Sequence, residues 1–147
     1  MFRRLAVSLL FGLTAVGSPL LAAEHTVKMR NNGADGMMVF EPAFLKVAPG
    51  DTVIFESTDP GHNSASHYVP QGAKTWDGAM GQTVSVKLDT PGVYVYKCTP
   101  HVMLGMIGVI QVGEAQNLAE AKGAAETFKA SIAMNKERLD KYLGQVK

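Results

Sequence analysis

The chain has 147 residues, of which 46% are hydrophobic and 18% are charged, and it contains no long charged or low-complexity run. This length and composition fit one globular domain with a sizeable core. The formal net charge of +1 does not suggest nucleic-acid binding, which usually accompanies a marked excess of basic residues.

Residues 1–23 have the organisation of a secretory signal peptide. A basic pair near the start precedes an apolar run over 5–16, and small residues end the segment at Ala22 and Ala23. This order predicts export with cleavage after Ala23, and cleavage after Ala22 is the alternative. The apolar run is short and interrupted for a membrane span, so a retained anchor is the weaker interpretation. We therefore expect a soluble exported protein.

The segment from Glu24 to Gly113 has the pattern of short strands separated by strong turn signals. The expected strands are 25–29, 39–47, 52–56, 83–88, 93–98 and 106–112. Pro42 has no amide hydrogen to donate, so the second run should lie at a sheet edge or bend there. Between 62 and 81 we expect a long connection with one short strand near Tyr68. Strands at roughly ten-residue intervals predict a sandwich or barrel.

Beyond Gly113 the composition shifts to Ala, Lys, Glu and Leu, which is typical of helices. We expect a short helix over 117–122 and a longer one over 124–143, with Gly123 as the break. Four apolar residues of the longer segment share one helical face; they are Phe128, Ile132, Leu139 and Leu143. Such a stripe favours packing against the strands over binding of a partner.

The segment 96–106 brings three potential metal ligands close together in the chain. Cys98, His101 and Met106 are spaced Cys-x2-His-x4-Met. Soft sulfur donors with imidazole suit copper, and one Cys, two His and a distant axial Met make the blue-copper electron-transfer site. Cys98 is the only cysteine, so no internal disulfide can form. A lone cysteine is more often a buried inert residue, but the His and Met that follow it favour a metal loop.

The second histidine of such a site should come from another part of the chain. His25 is close to the expected N-terminus, where chains are often loosely ordered, so we expect it to be solvated. His62 follows a tight Asp-Pro-Gly turn and precedes Asn63, whereas His67 lies in a Ser-rich stretch. Turn preferences are a weak guide. They favour His62 and leave His67 as the alternative.

Three motifs together resemble the cupredoxin family, and within it the pseudoazurin group. They are Gly61-His62-Asn63, Cys98-Thr99-Pro100-His101 and Gly105-Met106. Further similar stretches are Val39-Phe40-Glu41-Pro42, Pro49-Gly50-Asp51-Thr52-Val53 and Pro91-Gly92-Val93-Tyr94. The resemblance covers essentially all of 24–147, including the helical tail. It implies a mainly β protein with a Greek-key sandwich or barrel over 24–113 and two C-terminal helices within 114–147.

The resemblance also implies a ligand set and an activity. The ligands of one type 1 copper would be His62, Cys98, His101 and Met106, whereas Met103 does not match the axial position. The protein would be a periplasmic, monomeric electron carrier cycling between Cu(II) and Cu(I), and not an enzyme. Its partners would be a nitrite reductase as acceptor and a c-type cytochrome as donor in denitrification. A copper storage or delivery protein is the alternative.

Supporting residues follow from the same resemblance. Asn63 would tie the first ligand segment to the ligand loop near Thr99, and Pro100 would pack beside His101 and keep water off the metal. Met38 would be the apolar residue near the exposed histidine.

Relatives in this family dock through lysines around the same edge, and this chain departs from that pattern. Lys97 is present and Lys74 is a candidate, but Asn32 and Pro60 occupy positions where relatives often carry lysine. We therefore expect weaker docking electrostatics.

A copper enzyme and a cysteine nucleophile are less consistent with the sequence. Copper oxidases and reductases usually have further His-rich centres, and only His25 and His67 remain here. A Cys98–His101 pair has no evident third residue to orient it, as activated nucleophiles usually do. A site divided between a loop and a distant segment also favours retention of copper over delivery.

Overall fold

The computed structural model describes residues 21–147, so the first 20 residues of the expected signal peptide lie outside the described residues. Eight strands form two four-stranded sheets. The strands are β1 (Glu24–Gly33), β2 (Gly36–Glu41), β3 (Phe44–Val47), β4 (Asp51–Glu56), β5 (Ala65–Tyr68), β6 (Val84–Leu88), β7 (Gly92–Lys97) and β8 (Ile107–Val112). The predicted β-sandwich is confirmed.

The two sheets have the strand orders β2-β1-β4-β6 and β3-β8-β7-β5. Strands β1 and β4 are parallel, as are β3 and β8, and the other pairs are antiparallel. The run expected over 39–47 is divided, because β2 belongs to the first sheet and β3 to the second. Pro42 lies between them, where a residue without an amide hydrogen interrupts no ladder. The expected bend at Pro42 is confirmed.

An aromatic cluster fills the core beneath the ligand loop. Phe40 and Phe55 pack edge-on against Tyr96, with ring centroids 4.7 and 4.9 Å from it. Burial of a phenylalanine contributes roughly 1.5–3 kcal/mol. Gly108 permits this packing, because a Cβ there would lie only 2.2 Å from a Tyr96 ring atom. Since Tyr96 precedes Cys98 by two residues, this cluster fixes the strand that leads into the loop.

The tail forms helix α1 (Leu118–Phe128), a 3-10 turn (Lys129–Ser131) and helix α2 (Glu137–Leu143). The predicted break at Gly123 is wrong, because α1 continues through this residue. A Cβ at this position would face open space, so packing does not require glycine there. Glycine costs a helix only about 1 kcal/mol relative to alanine. The chain instead becomes extended at Ile132, with φ −102° and ψ 122°. Within residues 21–147, no helix is both long and apolar enough to span a bilayer.

The expected apolar stripe packs on the sandwich, although it does not belong to a single helix. Phe128 ends α1, Ile132 lies in the extended segment, and Leu139 and Leu143 belong to α2. All four are at most 5% exposed. His67 stacks on Phe128 with ring centroids 3.7 Å apart. These contacts confirm that the stripe faces the body of the protein.

Asp51 anchors the beginning of β1. The Ala23 amide donates to Asp51 Oδ1 at 2.8 Å, and the Thr52 amide donates to the Ala23 carbonyl at 2.9 Å. His25 Nε2 lies 2.8 Å from Asp51 Oδ2, so this histidine is not the freely solvated residue we expected. The amide of Ala23, then the His25 side chain and the amide of Ala48, lower the pKa of Asp51 to about 2.

Candidate metal centre

Three side-chain donors converge at one end of the sandwich. His62 Nδ1 lies 3.1 Å from His101 Nδ1, and Cys98 Sγ lies 3.8 Å from the first nitrogen and 3.4 Å from the second. The point equidistant from these three atoms lies about 2.0 Å from each, close to the roughly 2.0–2.3 Å bonds of imidazole and thiolate to zinc. The triangle therefore has the right size for a first-row transition-metal ion.

The second sheet carries two of these donors. Cys98 directly follows β7, and its amide donates to the Met106 carbonyl at 3.0 Å as the chain enters β8. A 3-10 turn over Thr99–Leu104 connects the two strands and includes His101. Gly105 ends this turn at φ 77°, a conformation that glycine adopts without strain.

The third donor lies in the connection between β4 of the first sheet and β5 of the second. His62 follows the turn after β4 and is completely buried. The preceding Gly61 has φ 85°, so the turn requires a residue without a side chain. The Gly81 amide donates to the His62 carbonyl at 2.7 Å. Both the turn and this contact fix the backbone from which the imidazole projects.

Asn63 joins the two sides of the site. The Thr99 amide donates to Asn63 Oδ1 at 2.8 Å, while Asn63 Nδ2 donates to Thr99 Oγ1 at 3.2 Å and to the Gly78 carbonyl at 3.1 Å. Its side chain is almost fully buried, so these bonds are protected from competing water. The expected tie between the His62 segment and the ligand loop is confirmed.

Asn31 is a contributor that the sequence reasoning missed. Its Oδ1 lies 2.9 Å from His62 Nε2, and its amide donates to Asp59 Oδ2 at 2.7 Å. An amide oxygen can only accept, so Nε2 carries the hydrogen and Nδ1 presents its lone pair to the site. The first strand was expected to end at residue 29, but β1 continues to Gly33. No sequence signal links Asn31 to a histidine 31 residues further along.

Burial favours the neutral forms of His62 and Cys98. It lowers the pKa of His62, and the charge of His101 adds to this effect. Burial also raises the pKa of the Cys98 thiol, opposed by the backbone amides of Asn63 and His101. A metal that binds the thiolate must therefore displace the thiol proton.

The two methionines considered from the sequence have opposite environments. Met106 is fully buried, and its amide donates to the His101 carbonyl at 3.2 Å. Met103 is 64% exposed. The structure thus brings Met106 to the inner end of the ligand loop and leaves Met103 at the surface.

His101 lies at the exposed edge of an otherwise buried site. His62 and Cys98 have no exposed surface, whereas His101 is partly exposed. Pro100, expected to shield it, is itself exposed. A cleft of about 180 Å³ near the end of the loop is lined by eight residues. Among these are Met37, Met38, Leu104 and Met134.

Comparisons with known proteins agree with this geometry. A family model for copper-binding proteins of the plastocyanin/azurin family matches residues 27–113. Pseudoazurin from Paracoccus pantotrophus is 39% identical over 149 residues, with 99% of each chain covered. The crystal structure of native pseudoazurin from Hyphomicrobium denitrificans is 38% identical, with a TM-score of 0.75 over 84% of this chain and 98% of that one. Pseudoazurin from Methylobacterium extorquens AM1 is 40% identical, with a TM-score of 0.71 over 84% and 99% of the two chains.

Replacing Asn31 by alanine should weaken copper binding. The variant leaves Nε2 of His62 without its acceptor, so the ring orientation and tautomer are no longer fixed. Loss of such an outer contact typically lowers metal affinity by roughly 10–100-fold. Competition with a chelator for Cu(II) measures the change. Asn32→Ala is the matched control because Asn32 is exposed, and equal affinity of the two variants would contradict the role of Asn31.

Proposed function

The chain belongs to the plastocyanin/azurin family of copper-binding proteins and, within it, to the pseudoazurins, and from this we propose that it transfers electrons through one type 1 copper. The observation that carries the proposal is the triangle of His62 Nδ1, Cys98 Sγ and His101 Nδ1. We assign these three atoms as the strong ligands and the Met106 thioether as the weak axial one.

The donor set suits one-electron exchange. Bound copper supplies the redox couple, for which thiolate and thioether favour Cu(I) while imidazole serves both states. We expect the residues of the chain to keep their positions in both states, because the Cys98 amide donates to the Met106 carbonyl and Asn63 holds the loop against the His62 segment. Little rearrangement is then needed when an electron moves.

His101 is the proposed route for the electron. It is the one partly exposed member of the three-donor group. Within residues 21–147, no second group of three His, Cys, Asp or Glu side chains lies close enough to share an ion. A single centre with one exposed ligand supports an electron carrier. Because the other two donors are buried, the site also favours retention of copper over storage for delivery to another protein.

Substitutions should separate the roles of the sulfur ligands. Cys98→Ala should abolish the intense thiolate-to-copper band, and Met106→Leu should keep copper but shift the reduction potential. Met103→Leu should do neither, because Met103 is exposed. Visible spectra with stoichiometric Cu(II), recorded before and after a mild reductant, measure these effects.

The parent protein provides the decisive comparison in that experiment. Its band should bleach on reduction and return on reoxidation. A pale complex would mean that Cys98 is not a ligand, and loss of copper on reduction would indicate delivery. A larger change in Met103→Leu than in Met106→Leu would overturn the axial assignment.

We further propose that the partners are a nitrite reductase as acceptor and a c-type cytochrome as donor, in denitrification, with the carrier acting as a monomer. The surface around the loop supports an apolar contact, since Met37, Met103 and Met134 are all more than half exposed. Asn32 and Pro60 take positions where the resemblance leads us to expect lysine. Docking should therefore depend on apolar burial more than on charge.

This docking mode predicts a weak dependence on salt. Raising the ionic strength should lower the second-order rate of electron transfer to a copper nitrite reductase by less than about tenfold, the lower limit of electrostatic steering. Met103→Ser should slow the reaction because it removes exposed apolar surface from the ligand loop. Lys87→Ala should not, since Lys87 lies opposite Thr52 at the end of β4 that is remote from the ligand loop. Stopped-flow kinetics measure both, and a steep salt dependence would contradict the apolar mode.

We also propose an N-terminal signal peptide, for which the sequence predicts residues 1–23, followed by one periplasmic domain with its sandwich over 24–113 and its tail over 114–147. Cleavage after Ala23 would remove the residue that contacts Asp51 and Thr52. Cleavage after Ala22 would preserve both contacts, and we favour it for that reason.

The intact mass of the exported protein decides between the two cleavage positions. We expect a mature chain that begins at Ala23, because its nitrogen, which cleavage turns into an α-ammonium group, and its carbonyl both contact residues of β4. A mass that corresponds to a chain beginning at Glu24 would show that the mature protein does not retain these contacts. An uncleaved chain held in the membrane fraction would indicate an anchor.

A further inference from the structure

Three consecutive carbonyls at the end of the ligand loop are bound by the C-terminal tail. The amides of Ala133 and Met134 both donate to the Met103 carbonyl at 2.9 Å. Asn135 Nδ2 donates to the Leu104 carbonyl at 2.9 Å, and Arg138 Nη1 donates to the Gly105 carbonyl at 3.1 Å. The next residue is Met106, so the tail fixes the backbone that leads directly into the proposed axial ligand.

Arg138 also connects the same point to the β1–β2 hairpin. This buried guanidinium donates to four carbonyls, which belong to Asp35, Met37, Met38 and Gly105. The donor–acceptor distances are 2.7–3.1 Å. An ammonium group has only three donors and no planar fork, so lysine could not make all four bonds.

The fit between tail and loop is close. A Cβ on Gly105 would lie 2.7 Å from the Met134 carbonyl oxygen and 3.1 Å from Asn135 Cβ. Asn135 itself has φ 58°, which is uncommon for a residue other than glycine. Neither backbone could shift without disturbing the other.

We propose that the segment 133–138 is a positioning element for Met106, with Asn135 and Arg138 as its key side chains. This inference rests on the proposed function, in which Met106 is the axial ligand. The three other donors have additional support from Asn63, from the Gly81 amide and from the pairing of β5 with β7. A thioether would be the weakest of the four ligands, so its position would depend most on the backbone that carries Met106.

Two variants test the proposal. Asn135→Gly tolerates the positive φ and removes the side-chain hydrogen bond to the Leu104 carbonyl. Arg138→Lys keeps the positive charge but cannot make all four hydrogen bonds of the guanidinium. In each copper-loaded variant we expect an altered ratio of the two thiolate-to-copper absorption bands, a changed copper electron paramagnetic resonance spectrum and a shifted reduction potential. Arg138→Lys should have the larger effect, because Arg138 bonds the carbonyl adjacent to Met106.

Tyr142→Phe is the matched control. Tyr142 belongs to the same helix and bonds the hairpin through Asp35 Oδ2 at 2.8 Å, but it makes no hydrogen bond to 103–105. We expect this variant to loosen the tail without changing the spectrum or the potential. An equal spectral change in Tyr142→Phe would show that general loosening is the cause and would overturn the proposal.

A measurement without copper separates this inference from the proposed function. The Met106 amide donates to His101 and the Gly105 amide to Val102. Their hydrogen exchange in the apo protein should be roughly two- to tenfold faster in Asn135→Gly, as expected for loss of one hydrogen bond. Exchange in Tyr142→Phe should match the parent. Unchanged exchange and unchanged spectra in Asn135→Gly would overturn the positioning role, whereas a colourless copper-loaded parent would overturn the proposed function alone.

Discussion

The reciprocal hydrogen bonds between the Asn63 carboxamide and Thr99 are the constraint on which the site depends. They connect a segment that follows β4 of one sheet to a loop that follows β7 of the other. Pairing of Ala65 in β5 with Lys97 in β7 brings the two segments together, and the Asn63 bonds fix their spacing next to His62 and Cys98. Because both polar groups of the carboxamide are satisfied in a buried setting, the connection has one favourable geometry. Asn63 therefore acts with the pairing of β5 and β7 to set the size of the donor triangle.

A preformed triangle has an electrostatic consequence for the protein without metal. Buried groups avoid charge, and burial shifts the pKa of both His62 and Cys98 towards their neutral forms. The neutral His62 suits a metal without change, because Asn31 already holds the proton on Nε2. The thiol must lose its proton. The geometry of the site is thus prepared in advance, and the principal chemical change on metal binding falls on Cys98.

The sequence predicted the local part of the site better than its long-range part. Cys98, His101 and Met106 lie in one loop, so their spacing alone indicated a metal site. The choice of His62 over His67 needed the family resemblance, because turn preferences could not decide it. Asn31 was not predicted, since its contact depends on β1 extending beyond the expected end at residue 29 and pairing in parallel with β4. Parallel pairing joins residues far apart in sequence and has no local signature.

The helical tail is a second case in which local sequence preferences did not predict the structure. Gly123 has the lowest helix propensity of its segment, and yet the helix continues through it and breaks near Ile132. The break leaves the amides of Ala133 and Met134 free of the helix, and both donate to the Met103 carbonyl. Hydrogen bonds to the ligand loop thus replace those of a continuous helix. Contacts with the loop favour the end of the helix at this point. The residues that follow the break hold the loop through their hydrogen bonds to Met103. Neither element could have been predicted alone, because each obtains its conformation from the other.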